Sequence, residues 1–298
     1  MNRRSAILRM ARGFKRRPTG WVHLPGYSSP LANTRYISGT GKGRICLLYK
    51  AFEHVVGPLK PHNQAIGDCV SHAFGLGVDI LTTTQITAGS KERWMGKACT
   101  EVIYGGARVE IANGRLFGDG AMGAWAANWL RKYGVVLRKV YDKYDLRQYS
   151  GRRARKYGRD GCPNKLEPLA KLHPVRTTAL VKSWEDMRDS VANGFPVAVC
   201  SSQGFNDERD SEGFLTPSGT WMHAMLIIGV DDTRRPGACI QNSWGSRWVS
   251  GPTRFRQPRG SFWADADVVD GMLSQGDSFA LSNYIGYPRI KLPDYVLY

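Results

Sequence analysis

Asn63-Gln64-Ala65-Ile66-Gly67-Asp68-Cys69-Val70-Ser71-His72-Ala73-Phe74 reads as a cysteine delivered at the start of a helix. Gly67 allows a tight approach, and Asp68 is a good N-cap. From Cys69 onward Val70, Ala73, Phe74, Leu76, Val78, Ile80 and Leu81 predict a helix buried on most sides, despite Gly75 and Gly77. Cys69 then sits in the first turn, where unpaired backbone N–H groups and the positive end of the helix dipole favour a thiolate. Such a cysteine is either a nucleophile or one of the small buried core residues that free cysteines commonly are.

Far downstream lie the partners a nucleophile needs. Trp221-Met222-His223-Ala224-Met225-Leu226-Ile227-Ile228-Gly229 is a histidine leading into a buried strand, and Gln241-Asn242-Ser243-Trp244-Gly245 follows after one more apolar stretch. Gln64 and Cys69, then His223-Ala224, then Asn242-Ser243-Trp244-Gly245, resemble the papain-type cysteine peptidases in residue type, order and separation. Tyr104-Gly105-Gly106-Ala107-Arg108, Asp119-Gly120-Ala121 and Trp129 to Val135 are similar to the segment lining the peptide cleft in bacterial members. The resemblance spans about residues 60 to 270.

It implies a role for each group. Cys69 is the nucleophile; His223, from the opposite half, takes the thiol proton and later protonates the leaving amine. Asn242 orients the imidazole, Trp244 shields that hydrogen bond, and Gln64 offers a side-chain N–H to the oxyanion. Gly120 resembles a backbone position that pairs with substrate, although Ala121 follows it where relatives often have a second glycine. Relatives usually place five residues between glutamine and cysteine, whereas Gln64 and Cys69 have four. An ungapped match puts Asn63 there; a loop one residue shorter puts Gln64 there, the reading favoured. Asp68 opposes thiolate formation unless it points to solvent. His72, on the same helix as Cys69, lies along that helix and is expected to be a satisfied core histidine.

Length and composition bound the remainder. A chain of 298 residues can bury a substantial core. No apolar window is long enough to span a membrane, and the N-terminus has no clean apolar segment of a secretory signal. The six cysteines show neither C-x-x-C pairing nor zinc spacing, so no metal and no cofactor is expected. In papain a cysteine three residues before the nucleophile forms a disulfide; Ile66 stands there here. Reduced thiols and an intracellular, cytoplasmic setting are expected.

Charge is uneven. The net charge is +17, and residues 1–52 hold eleven Lys/Arg and no acid. Arg3, Arg4, Arg9, Arg12, Lys15, Arg16 and Arg17, interleaved with Ile7, Leu8, Met10 and Phe14, suggest a short basic amphipathic helix stopped by Pro18 and Gly20. A second run, from Arg147 to Arg159, includes Arg152 and Arg153. Such runs bind nucleic acid or other polyanions by counterion release, or are merely solvated faces.

The organisation predicted is α+β: a basic arm and lead-in over 1–60, a helical lobe over 61–172 with an Arg-rich insert at 147–159, and a β-rich, barrel-like lobe over 173–298 carrying the histidine and asparagine. Residues 20–60 are Gly/Pro/Ser-rich apart from a strand candidate at Ile45–Tyr49. They are too short and too Gly/Pro-rich to resemble the family's helical propeptide, so activation by its removal is not expected. Helices are expected over 121–131 and, behind Ser183, over 184–192 up to Asn193-Gly194; strands are expected at 177–181 and 195–200. Two function classes follow. One is a thiol endopeptidase acting on peptide or protein substrates. The other is a structural or nucleic-acid-associated protein, such as a virion component, that retains the fold.

Overall fold

The computed structural model describes residues 17–24, 41–114, 116–283, 292, 293 and 296. The basic helix read over residues 3–17 falls almost wholly outside this set. In chain order the elements are β1 (Ile45–Leu47), α1 (Leu48–Val56), α2 (Cys69–Thr87), α3 (Thr100–Gly106), α4 (Gly123–Lys132), β2 (Val140–Tyr141), β3 (Tyr144–Asp145), α5 (Gly151–Asp160), β4 (Thr177–Val181), α6 (Trp184–Ala192), β5 (Val197–Phe205), β6 (Pro217–Asp231), β7 (Gly237–Gln241), β8 (Ser261–Asp265), α7 (Ala266–Leu273) and β9 (Ser278–Ser282).

Helix α2 is the axis. It is buried almost all round and packs on α1 and α3 on the helical side and on β5, β6 and β9 of the sheet. Its two glycines sit where neighbours press closest: a Cβ at Gly75 would stand 2.9 Å from the Thr100 methyl, and one at Gly77 would stand 2.6 Å from Leu281 Cδ1. Each glycine costs about 1 kcal/mol of helix propensity. That cost is offset by the close approach of a helix and a strand.

The sheet is antiparallel throughout, in the order β4-β9-β5-β6-β7-β8. The second half of β6, His223 to Asp231, is buried, which is why it reads as a continuous apolar run and not as an alternation. Helix α6 packs on β1, β5 and β6, and α7 on β5, β7 and β8. Among the described residues β4 and β8 remain edges, so the β-rich lobe is an open sheet and the barrel-like expectation narrows to that.

Two segments differ from their reading. Residues 45–56, placed in the lead-in, are built into the body: Ile45–Leu47 pairs with Gly229–Asp231, and Leu48, Tyr49, Ala51 and Phe52 are buried in α1. The strand ends at Leu47 because the burial pattern changes there to one helical face. The Arg-rich insert is the helix α5, capped by Ser150, whose hydroxyl accepts the Arg153 N–H at 3.3 Å. Ala154, Tyr157 and Gly158 are buried, and Gly158 lies so close to the Tyr104 ring that a Cβ would stand 2.5 Å from it. The arginines thus decorate a structural helix of the helical lobe. All six cysteines are free and buried. Among the described residues no helix is long and apolar enough to cross a membrane.

Candidate active site

His223 stands on β6 and Asn242 directly after β7, two antiparallel neighbours whose register pairs Leu226 with Gln241. The imidazole Nε2 lies 2.9 Å from Asn242 Oδ1. The same Oδ1 accepts the Ser243 backbone N–H at 2.6 Å, which fixes the orientation of the amide. An oxygen facing Nε2 requires the ring hydrogen on that nitrogen. In the neutral ring the lone pair is therefore on Nδ1, which is buried and has no hydrogen-bond partner among the described residues. The indole of Trp244 stacks on the ring at a centroid distance of 4.5 Å and covers the bond to Asn242. Burial pushes the His223 pKa down to about 4, with the Asn242 bond opposing and the nearby His72 adding to the fall.

Cys69 is the first residue of α2 and fully buried. Burial pushes its thiol up to about 12; the backbone N–H groups of Ala224, Gly20 and Val70 favour the thiolate, and Asp68 disfavours it. Ala224 follows His223 in the chain, so the strand that carries the histidine also aims an N–H at the sulfur. Asp68 differs from both expectations held for it. Its side chain makes no cap bond to the helix and does not reach solvent. Instead it accepts a hydrogen bond from Tyr149 Oη at 2.9 Å and lies 3.4 Å from His72 Nε2. His72 is buried and shares a 3.0 Å contact between its Nδ1 and that of His62, as a core histidine does.

Gln64 is placed by pairing with the segment after β7. Its N–H donates to Ser243 O at 2.9 Å, Asn63 bridges to Trp244, and the Ser243 hydroxyl donates to Gln64 Oε1. With the oxygen taken, the amide nitrogen faces away from Ser243 and donates to Ile66 O at 2.9 Å and to Pro18 O at 3.1 Å. Asn63 is exposed and its side chain lies against Gly245. Of the two amides, Gln64 is the buried one.

Pro18 belongs to the stretch read above as basic arm and lead-in, where it stops the expected basic helix. Residues 18–22 lie in the cleft between the two halves. Ala121 N–H donates to Gly20 O at 2.8 Å and Val22 N–H to Ala121 O at 3.0 Å, a parallel bridge centred on Trp21. On the other wall Gly20 and Trp21 both donate to Met222 O at 3.0 Å. Pro18 O accepts from Trp244 Nε1 at 2.9 Å as well as from Gln64. The Trp21 indole is buried and donates to Asp277 Oδ2 at 2.8 Å. Neither Trp21 nor Asp277 carried any signal in the sequence, because they meet from 256 positions apart. Gly120, expected to pair with substrate, has φ +121° and its N–H donates to Tyr104 Oη at 2.9 Å, while Arg108 donates to its carbonyl. It lines the cleft against Gly20, and Ala121 is the residue that pairs.

The basic residues singled out divide. Arg3, Arg4 and Arg16 lie outside the described residues. Arg17 stacks over Trp244 and Trp248 at 5.4 and 5.5 Å and donates to Trp248 O at 3.1 Å. Arg153 holds the buried Glu101 at 2.7 Å together with Arg138 at 3.0 Å. Arg152 is exposed. Among the described residues no group of His, Cys, Asp and Glu is arranged to hold a metal ion.

No family model and no curated protein matches the sequence. Solved structures do. Xylellain, a cysteine protease from Xylella fastidiosa, is 19% identical with a TM-score of 0.58 and covers 92% of this chain and 100% of its own. Procathepsin B S9 from Trypanosoma congolense is 11% identical with a TM-score of 0.56, over 88% of this chain and 85% of that one. The digestive procathepsin L2 proteinase of Tenebrio molitor larval midgut is 14% identical with a TM-score of 0.55, over 89% and 78%. The chain therefore has the papain-like, two-lobed α+β fold.

Proposed function

We propose that the protein is a cysteine endopeptidase that hydrolyses peptide bonds through Cys69, His223, Asn242 and Gln64, and that its own residues 18–22 hold the cleft in the state described above. The two lobes on this reading are residues 61–172, carrying Cys69, and 173–298, carrying His223 and Asn242.

The chemistry follows from the hydrogen bonds. With Nε2–H donated to Asn242, the His223 ring keeps a lone pair on Nδ1 and can take the proton of the Cys69 thiol. The thiolate attacks the substrate carbonyl carbon, and the C=O electron pair moves onto oxygen. The Gln64 Nε2–H is held in place by Ser243 and stabilises that oxyanion. Collapse of the adduct expels the amine, which takes the proton from His223 Nδ1, and leaves a thioester on Cys69. Water, deprotonated by the same nitrogen, then releases the acid and the thiol. The observation that carries this reading is the His223 ring, whose outer nitrogen is fixed by an oriented asparagine while its inner nitrogen is buried without a partner among the described residues.

The occupied cleft supports a resting state. Burial leaves both Cys69 and His223 in their neutral forms, because desolvation disfavours the thiolate and the imidazolium alike. The Gly20 N–H favours the thiolate and the Gly20 carbonyl accepts from Ala121, so the segment is held through its backbone. The test is cleavage of an unstructured peptide library by full-length protein carrying Gly20→Val, a change that displaces the segment. Thiol-dependent cleavage is expected there and is lost on adding Cys69→Ala or His223→Ala. Cleavage that survives Cys69→Ala, or an accessible Cys69 with no cleavage of any peptide, overturns the reading.

A further inference from the structure

Asp68 stands directly before Cys69 in the chain, fully buried, and among the described residues neither a lysine nor an arginine pairs with it. A carboxylate in that place is costly to desolvate, and its charge opposes ionisation of the neighbouring thiol. Its partner comes from one turn further along α2. The Asp68 carbonyl accepts the His72 N–H at 3.2 Å and the Ser71 hydroxyl at 2.8 Å, and a spacing of four puts the side chains of Asp68 and His72 on one face. Asp68 Oδ2 accepts the Tyr149 hydroxyl at 2.9 Å and lies 3.4 Å from His72 Nε2, a nitrogen with no hydrogen-bond partner among the described residues. On its other side His72 meets His62, Nδ1 to Nδ1 at 3.0 Å, and the Tyr149 ring stands edge-on to it at 4.8 Å. Desolvation, together with the neighbouring His72, Arg138 and Lys97, pushes the pKa of the half-buried His62 well below its ordinary value, so His62 is neutral and can face His72 with a lone pair. His72 is thus flanked by an acceptor at each ring nitrogen, and a ring protonated on both satisfies them together.

We propose that His72 is a positioning residue for the nucleophile: it holds a proton against the Asp68 carboxylate and so cancels the negative charge that would otherwise keep the Cys69 thiol from ionising. The proposal rests on the reading of Cys69 as the reacting thiol and adds to it the group that sets its acidity. Little solvent is there to screen the pair. The adjoining cavity, lined by His62, His72, Gln241 and Asn242 among others, has a volume of about 10 Å³, room for about one water. The other ionisable groups around Asp68 and His72 are Tyr149, Tyr104, His62, His223 and Cys69, with Asp119 bonded to the Gly67 N–H at 3.3 Å and to Arg155 at 3.4 Å. Among the described residues none of these brings a second cation within ion-pair distance of Asp68. His223 feels the same positive charge of His72, which helps to keep its ring neutral and able to accept the thiol proton.

The acidity of the thiol can be read in full-length protein without any turnover. In the Gly20→Val chain, the rate of iodoacetamide alkylation at Cys69, located by peptide mapping, is followed against pH, and its midpoint reports ionisation of the sulfur. His72→Gln keeps a side-chain N–H for Asp68 and loses the charge; it is expected to raise the midpoint by at least about one pH unit, which lowers the rate below the midpoint about tenfold. Adding Asp68→Asn to His72→Gln removes the charge left uncompensated and should bring the midpoint back to within about 0.3 of the background. A packing role for His72 would leave the double variant at least as perturbed as the single one, and that result, or an unmoved midpoint in His72→Gln, overturns the proposal. A second measurement needs no change at position 72. Nitrogen-15 spectra of histidine-labelled protein at pH 7.5, where an exposed histidine is about a tenth protonated, should show one of the six rings largely protonated on both nitrogens, and Asp68→Asn should abolish that signal. Six neutral rings overturn the proposal whether or not His72→Gln folds. If the midpoints behave as expected and no peptide is cut, the charge pair stands and it is the peptidase reading that falls; cleavage with an unmoved midpoint removes the role of His72 alone.

Discussion

Gly20 and Gly67 meet backbone to backbone: a Cβ on Gly20 would stand 1.9 Å from the Gly67 carbonyl oxygen, and one on Gly67 would stand 2.6 Å from the Thr19 carbonyl oxygen. Gly67 lies two residues before Cys69, so the contact seals the segment 18–22 over the start of α2. No side chain fits there unless one of the two backbones moves.

Gly20→Val should therefore displace the segment while leaving the folded body intact. Overpacking of this kind costs about 1–3 kcal/mol, which shifts the balance between covered and uncovered cleft by roughly five- to 150-fold. The expected outcome is a matching rise in the alkylation rate of Cys69, with thermal unfolding lowered only modestly because Trp21 is the one buried core residue that the segment contributes. An unchanged alkylation rate would mean that the segment does not control access to the sulfur.

Acid stability should depend on His223. Its folded pKa is pushed down to about 4 by burial, against an ordinary value near 6.5. Between these values the unfolded chain binds a proton that the folded chain does not, so this residue's contribution is fully present above about pH 6.5 and is lost as the pH falls toward 4. The size is on the order of 3 kcal/mol. Asp79, pushed up to about 7 by burial, has the opposite slope over much of the same range, as does Asp277 with its raised pKa. The measurement is therefore a difference. Urea unfolding of wild type and His223→Gln at pH 7.5 and pH 4.5 should show the wild type losing more stability on acidification than the variant. Parallel losses would place the histidine in a solvated setting.

What could be read from the sequence was what is local. Asp68-Cys69 and the apolar run behind it mark the start of α2; Ser183 and Asn193-Gly194 bracket α6, with the Ser183 hydroxyl accepting the Asp186 N–H at 3.2 Å. The cysteine, histidine, asparagine and glutamine were legible as a set because each sits in a short motif of its own. What was not legible depends on partners remote in the chain. Ile45–Tyr49 reads as a strand candidate, but its place in the body shows only once β6 is there to pair with Ile45–Leu47. Residues 18–22 have no periodicity, since they are held through backbone groups, one indole and one carboxylate. Asp68 looked like a cap because caps are the commonest use of Asp before a helix; the Tyr149 hydroxyl that claims it lies 81 positions on.

Arg153 should behave as a structural residue and Arg152 as a solvated one. Glu101 is fully buried, and Arg138, Arg153 and the Ser150 N–H at 2.9 Å all bond to it, tying α5 to α3. Despite burial, which raises it, the two guanidinium groups hold its pKa below the usual carboxylate range. Glu101→Ala leaves two partly buried cations unpaired and should cost about 3–5 kcal/mol of unfolding free energy. Arg153→Ala, which leaves Arg138 in place, should cost about 1–3 kcal/mol. Arg152→Ala should lie within about 0.5 kcal/mol of wild type. Chemical denaturation of the three variants checks the order; equal effects at positions 152 and 153 would argue against the assignment of Arg153 to Glu101.

The last expectation concerns which amide serves the oxyanion. Gln64 has its oxygen held by the Ser243 hydroxyl and its nitrogen donates to Pro18 O at 3.1 Å, so on the proposed reading the Pro18 carbonyl stands in for a substrate carbonyl. Asn63 is turned to the surface. In full-length protein carrying Gly20→Val, Gln64→Ala should lower kcat/KM by about a hundred- to a thousandfold, the usual consequence of removing one such donor. Most of that loss should fall on kcat, because the bond strengthens as charge develops on oxygen. Asn63→Ala in the same background should change kcat/KM by less than about threefold, since its side chain is exposed and lies against Gly245. The covered state adds a second readout. In the chain without the Gly20 change, Gln64→Ala removes one of the two donors to Pro18 O and should raise Cys69 alkylation severalfold, while Asn63→Ala should not. A large kcat effect from Asn63→Ala together with a small one from Gln64→Ala would transfer the oxyanion role to the neighbouring residue and require the loop before Cys69 to rearrange when substrate binds.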